Sequence, residues 1–377
     1  MARICVIGIG DAGIKMADRV PAGAGEDVVR IAINTDRRSL ERSSAAVKLA
    51  IGSARTGGLG TGGDVETGRL AAEDDEHLIR ESVSGADMIL AAVGLGGGCG
   101  TGAASVVLRN AGETGAITFM FATLPFPFEG PQAREAADHA LAELQKQAGI
   151  VLAIPNERMA SFVGDGKVAD TFDGVNRVIG SGIGALYRLI TKPGYLNLDL
   201  PALRKCLGGE NGLGSMAVAE AEGAGRGEQI VRQLVDNPMT DSGAALTGAR
   251  SILVGILGGR DLAIQDVGTV FAAVKERAPR DCPMWTGTAI DDDWNGRITA
   301  VLIFTDRWKD VGEQAQLNNG RSLLAAKKPQ RGQKAEQGRF SFEPFDRGRF
   351  KDVDPTIQDG IDLDEPTYCR RRIRIEK

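Results

Sequence analysis

Residues 94–105 read GLGGGCGTGAAS, which places six glycines within nine positions between the apolar run DMILAAV and the helix-like stretch AASVVLRN. Glycine inside a helix or strand costs about 0.5–1 kcal/mol relative to alanine, so the cluster needs a reason beyond local propensity. A strand that feeds a glycine-rich turn and then a helix leaves backbone N–H groups at the helix N-terminus. There they and the helix dipole stabilise a phosphate. A second loop, GIGDAG within VIGIGDAGIK (6–15), satisfies G-x-G-x-x-G directly after the first strand-like run. A third glycine-rich stretch, TGGLGTGGDVETG (56–68), is available to close over the same ligand. One such loop arises readily by chance, whereas two in one sheet are far more specific for a phosphate-bearing ligand.

Short apolar runs surround these loops: ARICVIGIG (2–10), VVRIAIN (28–34), VKLAI (47–51), DMILAAVG (87–94), AITFMFAT (116–123) and GIVLAIP (149–155). They are β-branched or wholly apolar, as strands buried on both faces are, and they alternate with helical candidates such as REAADHALAELQKQ (134–147). This βαβ rhythm predicts an α/β fold with a parallel, helix-covered, Rossmann-like sheet in a first domain over residues 1–170. Val175, Val178, Ile179, Ile183, Leu186, Leu189 and Ile190 then recur at three- and four-residue spacing and predict a long central helix, 171–192 with its start near Asp170. At 1.5 Å per residue it extends roughly 30 Å. KPGYLNLDLP stops it with Pro193 and Gly194 and begins a loop over 193–201. Residues 202–307 predict a smaller α/β unit, with helical EGAGRGEQIVRQLVDN (222–237) and strands SILVGILGG (251–259), MWTGTAI (284–290) and RITAVLIFT (297–305). Residues 308–347, polar and charged, read as a disordered linker, and 348–377 as a short docking peptide.

Composition narrows the function. With 377 residues and 42% hydrophobic content the chain can bury real cores, and a net charge of −5 gives no basic field to recruit nucleic acid. Five cysteines without a CxxC pair, and only two histidines, suggest neither zinc nor a disulfide framework, which fits a reduced cytoplasm. No run approaches the ~18 apolar residues of a membrane span. The absence of GxxxxGK[ST] excludes P-loop chemistry. A dehydrogenase reading draws on Asp36, about twenty residues beyond Gly13, where a ribose-binding acid is expected. It leaves the second glycine loop, the long helix and NLD unexplained.

At GGGCGTG (96–102) the chain resembles the tubulin and FtsZ superfamily, specifically the FtsZ family of bacterial division GTPases, whose signature GGGTGTG is matched with Cys99 for threonine. Similar stretches follow in family order: VIGIGDAG (6–13), INTDRRSL (33–40), GLGTGGDVETGRLAA (58–72), PFPFEG (125–130), IPNERM (154–159), TFDGVNRVIGSGIGALYRLITKPGYLNLDL (171–200) and GARSILVGILGGRDL (248–262). DLDEPTYCRRR (362–372) is similar to the family's C-terminal peptide. The resemblance implies a GTP-binding domain joined by the central helix to a smaller C-terminal α/β domain.

It also implies roles. Gly10, Asp11, Ala12, Gly13, Ile14 and Lys15, with Gly96, Gly97, Gly98, Cys99, Gly100 and Thr101, hold the phosphates of GTP or GDP, accompanied by Mg2+. Glu129 contacts the ribose, Phe172 stacks on guanine, Asn176 reads its edge, and Asn156 belongs to a neighbouring pocket loop. Hydrolysis takes place between subunits of a head-to-tail filament, where Asn197 and Asp199 of one subunit position and polarise water on the nucleotide of the next. This division of labour suits phosphoryl transfer, whose catalysis is mostly orientation and charge stabilisation.

The chain departs from the family around the same ligand. Ala202 replaces the second aspartate of NxDxxD, so turnover is expected to be slow or lost, and a weakly hydrolysing filament or regulatory paralogue is the alternative. Ala133 replaces an arginine, with Arg134 beside it, while Asp11, Ala12 and Ile14 replace glycines. Lys15 stands where asparagine is usual, and we expect it to supply the positive charge that Ala133 no longer provides. Tyr368, Arg370, Arg371, Arg372, Ile373 and Arg374 put four cations beside apolar groups. They imply docking to a membrane-tether protein at the division site, with direct contact to an anionic membrane surface as the lesser possibility.

Overall fold

The computed structural model describes residues 2–20, 28–163, 167–206, 212–306, 357–358 and 361–362. Two compact units divide the chain, residues 1–319 and 320–377. In the first unit the strands are β1 (Ile4–Ile9), β2 (Val28–Asn34), β3 (Val47–Ala50), β4 (Met88–Gly94), β5 (Ile117–Leu124), β6 (Ile150–Pro155), β7 (Gly212–Glu222), β8 (Ala249–Gly258), β9 (Met284–Ile290) and β10 (Arg297–Asp306). They form one continuous sheet in the order β3-β2-β1-β4-β5-β6-β7-β10-β8-β9.

The first six strands are all parallel. β1 pairs with β2 on one side and β4 on the other, so the strand order reverses between β1 and β4. Such a switch point opens a crevice beyond the carboxyl ends of the strands, where ligands of doubly wound sheets bind. β1 and β5 are buried at every position because helices cover both faces, which is why their sequences are unbroken apolar runs rather than alternating ones. The covering helices are α1 (Gly10–Asp18), α2 (Arg37–Arg42), α3 (Ser53–Thr56), α4 (Val65–Asp74), α5 (Glu76–Val83), α6 (Gly98–Glu113), α7 (Pro131–Leu144) and α8 (Asn156–Val163). Each expected strand of this region is present to within one or two residues.

The long helix is α9, Val168–Thr191, 24 residues. Val175, Ile179, Ile183, Leu186 and Leu189 form its buried stripe, in the core shared with β1, β4, β7 and β10. Beyond it lie α10 (Leu200–Cys206), α11 (Arg226–Val235) and α12 (Ile264–Arg277). β10 runs antiparallel to both β7 and β8, and β8 is parallel to β9. At the start of this region β7 pairs in parallel with β6 over Ile150–Leu152, so the sheet runs on from the first six strands.

β7 is an 11-residue strand that local propensity does not announce, since GLGSMAVAEAE has five glycines and alanines and two glutamates among its eleven residues. It is made a strand by partners on both edges, β6 and β10. The helix expected over 222–237 accordingly starts later, at Arg226, after Gly225. The linker over 308–347 and the docking peptide beyond it lie outside the described residues, except for the short antiparallel pair β11 (Ile357–Gln358) and β12 (Ile361–Asp362) in the second unit.

Candidate functional site

The two glycine loops leave β1 and β4 side by side at the switch point and open onto a cleft of about 420 Å³. Gly10, Asp11 and Ala12 line it from α1, Gly97, Gly98, Cys99 and Gly100 from α6, and Asn34, Thr35 and Asp36 from the end of β2. Leu59–Gly63 of the third glycine stretch, with Thr123, Glu129, Asn156 and Phe172, complete the lining. Two helix N-termini therefore meet in one cleft, the arrangement that stabilises an anion through N–H groups and dipoles.

The six glycines of 94–102 have different tasks. Gly96 has φ +101, a backbone setting that other residues rarely adopt. Its N–H donates to Thr101 Oγ1 at 2.9 Å, so the Thr101 side chain is buried in folding the loop and does not line the cleft. A side chain at Gly98 would lie 2.1 Å from Thr61 Oγ1, and one at Gly102 would lie 2.2 Å from the Val65 carbonyl oxygen. The glycines of α6 therefore also let α4 pack backbone to backbone. Gly97 alone of the six has open space where a Cβ would stand.

In the first loop Gly10 has φ +69, and Gly13 packs α1 onto β4, since a Cβ there would meet the Ala92 carbonyl oxygen at 2.2 Å. Ile14 is buried among Ala32, Leu40 and Ala45, leaving it outside the cleft. Lys15 is exposed on α1 and also stands outside the cleft lining. Ala133 packs against Gly96, and Arg134 pairs with Asp138 at 2.9 Å. The charged residues lining the cleft are thus Asp11, Asp36 and Glu129, with no lysine or arginine among the described ones.

Asn34 and Thr35 escaped the sequence analysis as site residues. Asn34 Nδ2 donates to Asp11 Oδ1 at 2.6 Å, and Asn34 Oδ1 accepts from the Asp36 N–H at 3.1 Å. The signal that could have found them is a polar trio closing a buried apolar strand. Cys99 is buried against this corner, and burial pushes its thiol above the usual range, with Thr35 pulling the other way.

At the far side of the cleft Phe172 meets Phe126 edge to face at 5.1 Å, and Phe126 stacks on exposed Phe128 at 4.8 Å. This makes an aromatic platform suited to a planar base. Asn176, one turn along α9 from Phe172, is buried and does not line the cleft. Asn156 starts α8 and does. Glu129 Oε1 accepts from the Phe126 N–H at 2.8 Å and so holds its own turn.

The acidic loop lies elsewhere. Its course is set by β9: Thr288 Oγ1 accepts from the N–H groups of Tyr195 and Leu196, and the Ile290 N–H donates to the Pro193 carbonyl. Alternation then buries Leu198 and leaves Asn197 and Asp199 exposed. Neither lines the cleft. From Phe172 to Thr191 the helix alone spans about 28 Å at 1.5 Å per residue.

No group of three or more His, Cys, Asp or Glu side chains among the described residues is arranged to hold a metal. Mg2+ is usually held by one or two carboxylates together with substrate phosphates, and Asp11 and Asp36 fit that mode.

The tubulin/FtsZ family GTPase domain model matches residues 3–164, and the FtsZ family C-terminal domain model matches residues 212–307. An empty FtsZ dimer from M. jannaschii is 30% identical, with 81% of this chain and 88% of that chain covered and a TM-score of 0.75. This chain belongs to the tubulin/FtsZ family. Its fold is also shared by a GTPγS-bound CetZ2 protofilament from Haloferax volcanii, at 23% identity, TM-score 0.68, and coverage of 85% of this chain and all (100%) of that one. A GDP-bound CetZ1 monomer from the same organism is 20% identical, with a TM-score of 0.69 and coverage of 85% and 98%. The cleft lining falls inside the segment matched to the tubulin/FtsZ GTPase domain except for Phe172, which with the acidic loop falls between the two matched segments. The expected α/β architecture is that of the tubulin/FtsZ fold. No helix among the described residues is long and apolar enough to cross a membrane.

Proposed function

We propose that this tubulin/FtsZ-family protein binds GTP or GDP in the cleft and assembles head to tail, so that the acidic loop of one subunit completes the nucleotide site of the next. The carrying observation is the separation between cleft and acidic loop by the length of α9. A carboxylate must reach a hydrogen-bonded water to act on it, and across such a span within one subunit it cannot.

The glycine loops hold the phosphates through the N–H groups of Gly10–Gly13 and Gly97–Gly100, Phe172 stacks on the base, Glu129 contacts the ribose and Asn156 belongs to the pocket wall beside it. When bound, Mg2+ supplies positive charge to the phosphates. Asn197 and Asp199 orient and polarise the attacking water. The exposed apolar residues support stacking of copies: Leu59 lines the cleft and Phe128 stacks beside it, while Tyr195 and Leu196 lie on the acidic loop.

Phosphate release measured against protein concentration tests this reading. A threshold followed by a steep rise is expected, together with filaments by electron microscopy in GTP. Release proportional to concentration from the lowest dose would overturn it. Ala202 favours a second reading, a filament or regulatory protein that binds GTP and turns over little. In either case residues 362–377 dock a membrane-tether protein of bacterial division, with the basic residues adding contact to the lipid surface. Their deletion should abolish recruitment and spare assembly.

A further inference from the structure

We propose that Asp11 makes nucleotide binding by this chain conditional on a divalent cation, its carboxylate serving as a cation ligand and repelling the phosphates when no cation is present. The inference rests on the nucleotide reading of the cleft and adds a residue and a dependence to it. Asp11 lines the cleft in the first turn of α1, where the loop is meant to receive an anion.

The charges around it decide the matter. Asp36 and Glu129 are the other charged residues lining the cleft, and no lysine or arginine joins them among the described residues. Ala133 carries no charge, Arg134 is paired with Asp138, and Lys15, one turn beyond Asp11, does not line the cleft. Among the described residues lining the cleft, positive potential comes from the N-termini of α1 and α6, fractional charges against a full carboxylate.

Two further observations point to a ligand. Asp11 is held in place, because Asn34, only 2% exposed, donates to Oδ1 at 2.6 Å and is itself fixed by the Asp36 N–H. Thr35, 1% exposed and also lining the cleft, has an Oγ1 with no hydrogen-bond partner at normal distance, although it lies near enough to the weakly bonding Cys99 thiol to pull on its titration. The Thr35 hydroxyl and the Asp11 and Asp36 carboxylates belong to residues lining one cleft and are hard oxygen donors, the set that suits Mg2+ when phosphates supply the rest. A cation between Asp11 and the phosphates turns a repulsion into two attractions.

The experiment uses the full chain and titrates a fluorescent GDP analogue and GTPγS by anisotropy, in Mg2+ and in EDTA. Wild type is expected to lose at least about tenfold in affinity in EDTA. Asp11→Asn, which keeps an oxygen for Asn34, should bind almost equally in the two buffers, and Asp11→Gly should do the same. Electron paramagnetic resonance with Mn2+ and GDP gives an independent readout, in which the wild-type spectrum should change on Asp11→Asn. Equal wild-type affinity in both buffers, or a variant that keeps the wild-type ratio, overturns the proposal and leaves the nucleotide reading intact. If wild type binds no guanine nucleotide even in Mg2+, the nucleotide reading itself falls.

Discussion

The Asp199 carboxylate accepts the Ala202 N–H at 2.7 Å, so the one acidic group left in the loop caps the first turn of α10, in which alanine occupies the other acidic position. Cap and charge can be separated. Asp199→Asn keeps an N-cap oxygen and should melt like wild type, while Asp199→Ala should lose about 1 kcal/mol of stability. Both should lower phosphate release. Ala202→Asp should raise it by about 10²–10⁴-fold, the usual contribution of a positioned acid or base. A loss of release in Asp199→Ala but not in Asp199→Asn would assign Asp199 to structure alone.

Gly97 lines the cleft and has room for a methyl group, whereas its neighbours in the loop are hemmed in by backbone. Gly97→Ala should therefore fold, at a cost below about 1 kcal/mol for a glycine-to-alanine change at the N-cap of α6. Its methyl faces open cleft, so nucleotide affinity should fall about tenfold or more. Gly102→Ala is the contrast: with the Val65 carbonyl 2.2 Å from the new carbon, α4 and α6 must part and stability must drop. Denaturant melts and nucleotide titrations on the two variants distinguish the roles.

Arg188 and Asp291 form a buried ion pair at 3.1 Å, exposed by 1% and 8%, that ties the last turns of α9 to the end of β9. The guanidinium lies 4.8 Å from the Tyr187 ring and 4.6 Å from the Trp294 ring. Arg188→Met leaves the buried carboxylate with the Asp293 N–H and, among the described residues, Lys192 at 3.7 Å as its cation, and should cost about 3–5 kcal/mol. Arg188→Met combined with Asp291→Asn should recover part of that loss, measured by urea denaturation.

Stability should fall in acid. Arg109, then Asn110, holds Glu76 below its ordinary value of 4.5, and Arg226 holds Asp261 below 3.8. A carboxylate whose pKa is lower folded than unfolded adds stability that is present above the unfolded value and lost as pH falls through the folded one. Urea midpoints should therefore be level above about pH 5 and decline below about pH 4.5. Glu76→Gln should flatten part of that decline, and a midpoint that rises on acidification would contradict the assignment.

Six parallel strands, the long helix and the two loops were legible along the chain because their signals are local. An apolar run long enough for a doubly covered strand, a three-to-four spacing and a glycine cluster each declare themselves within a dozen residues. The same locality concealed β7, whose alanines and glycines become a strand only between β6 and β10. It also grouped side chains by motif, although Thr101, Ile14, Lys15 and Asn176 stand beside the cleft without lining it.

By itself, then, the sequence determined the alternation of strands and helices, the glycine loops and the family, since propensity, burial pattern and motif are written in consecutive residues. Only the tertiary structure decided which side chains share the cleft, that Asn34 braces Asp11, that no cationic side chain lines the cleft among the described residues, and that a helix holds the acidic loop away from it. Those relations depend on how separate strands are laid side by side and how far a helix carries the chain, distances that no local stretch contains.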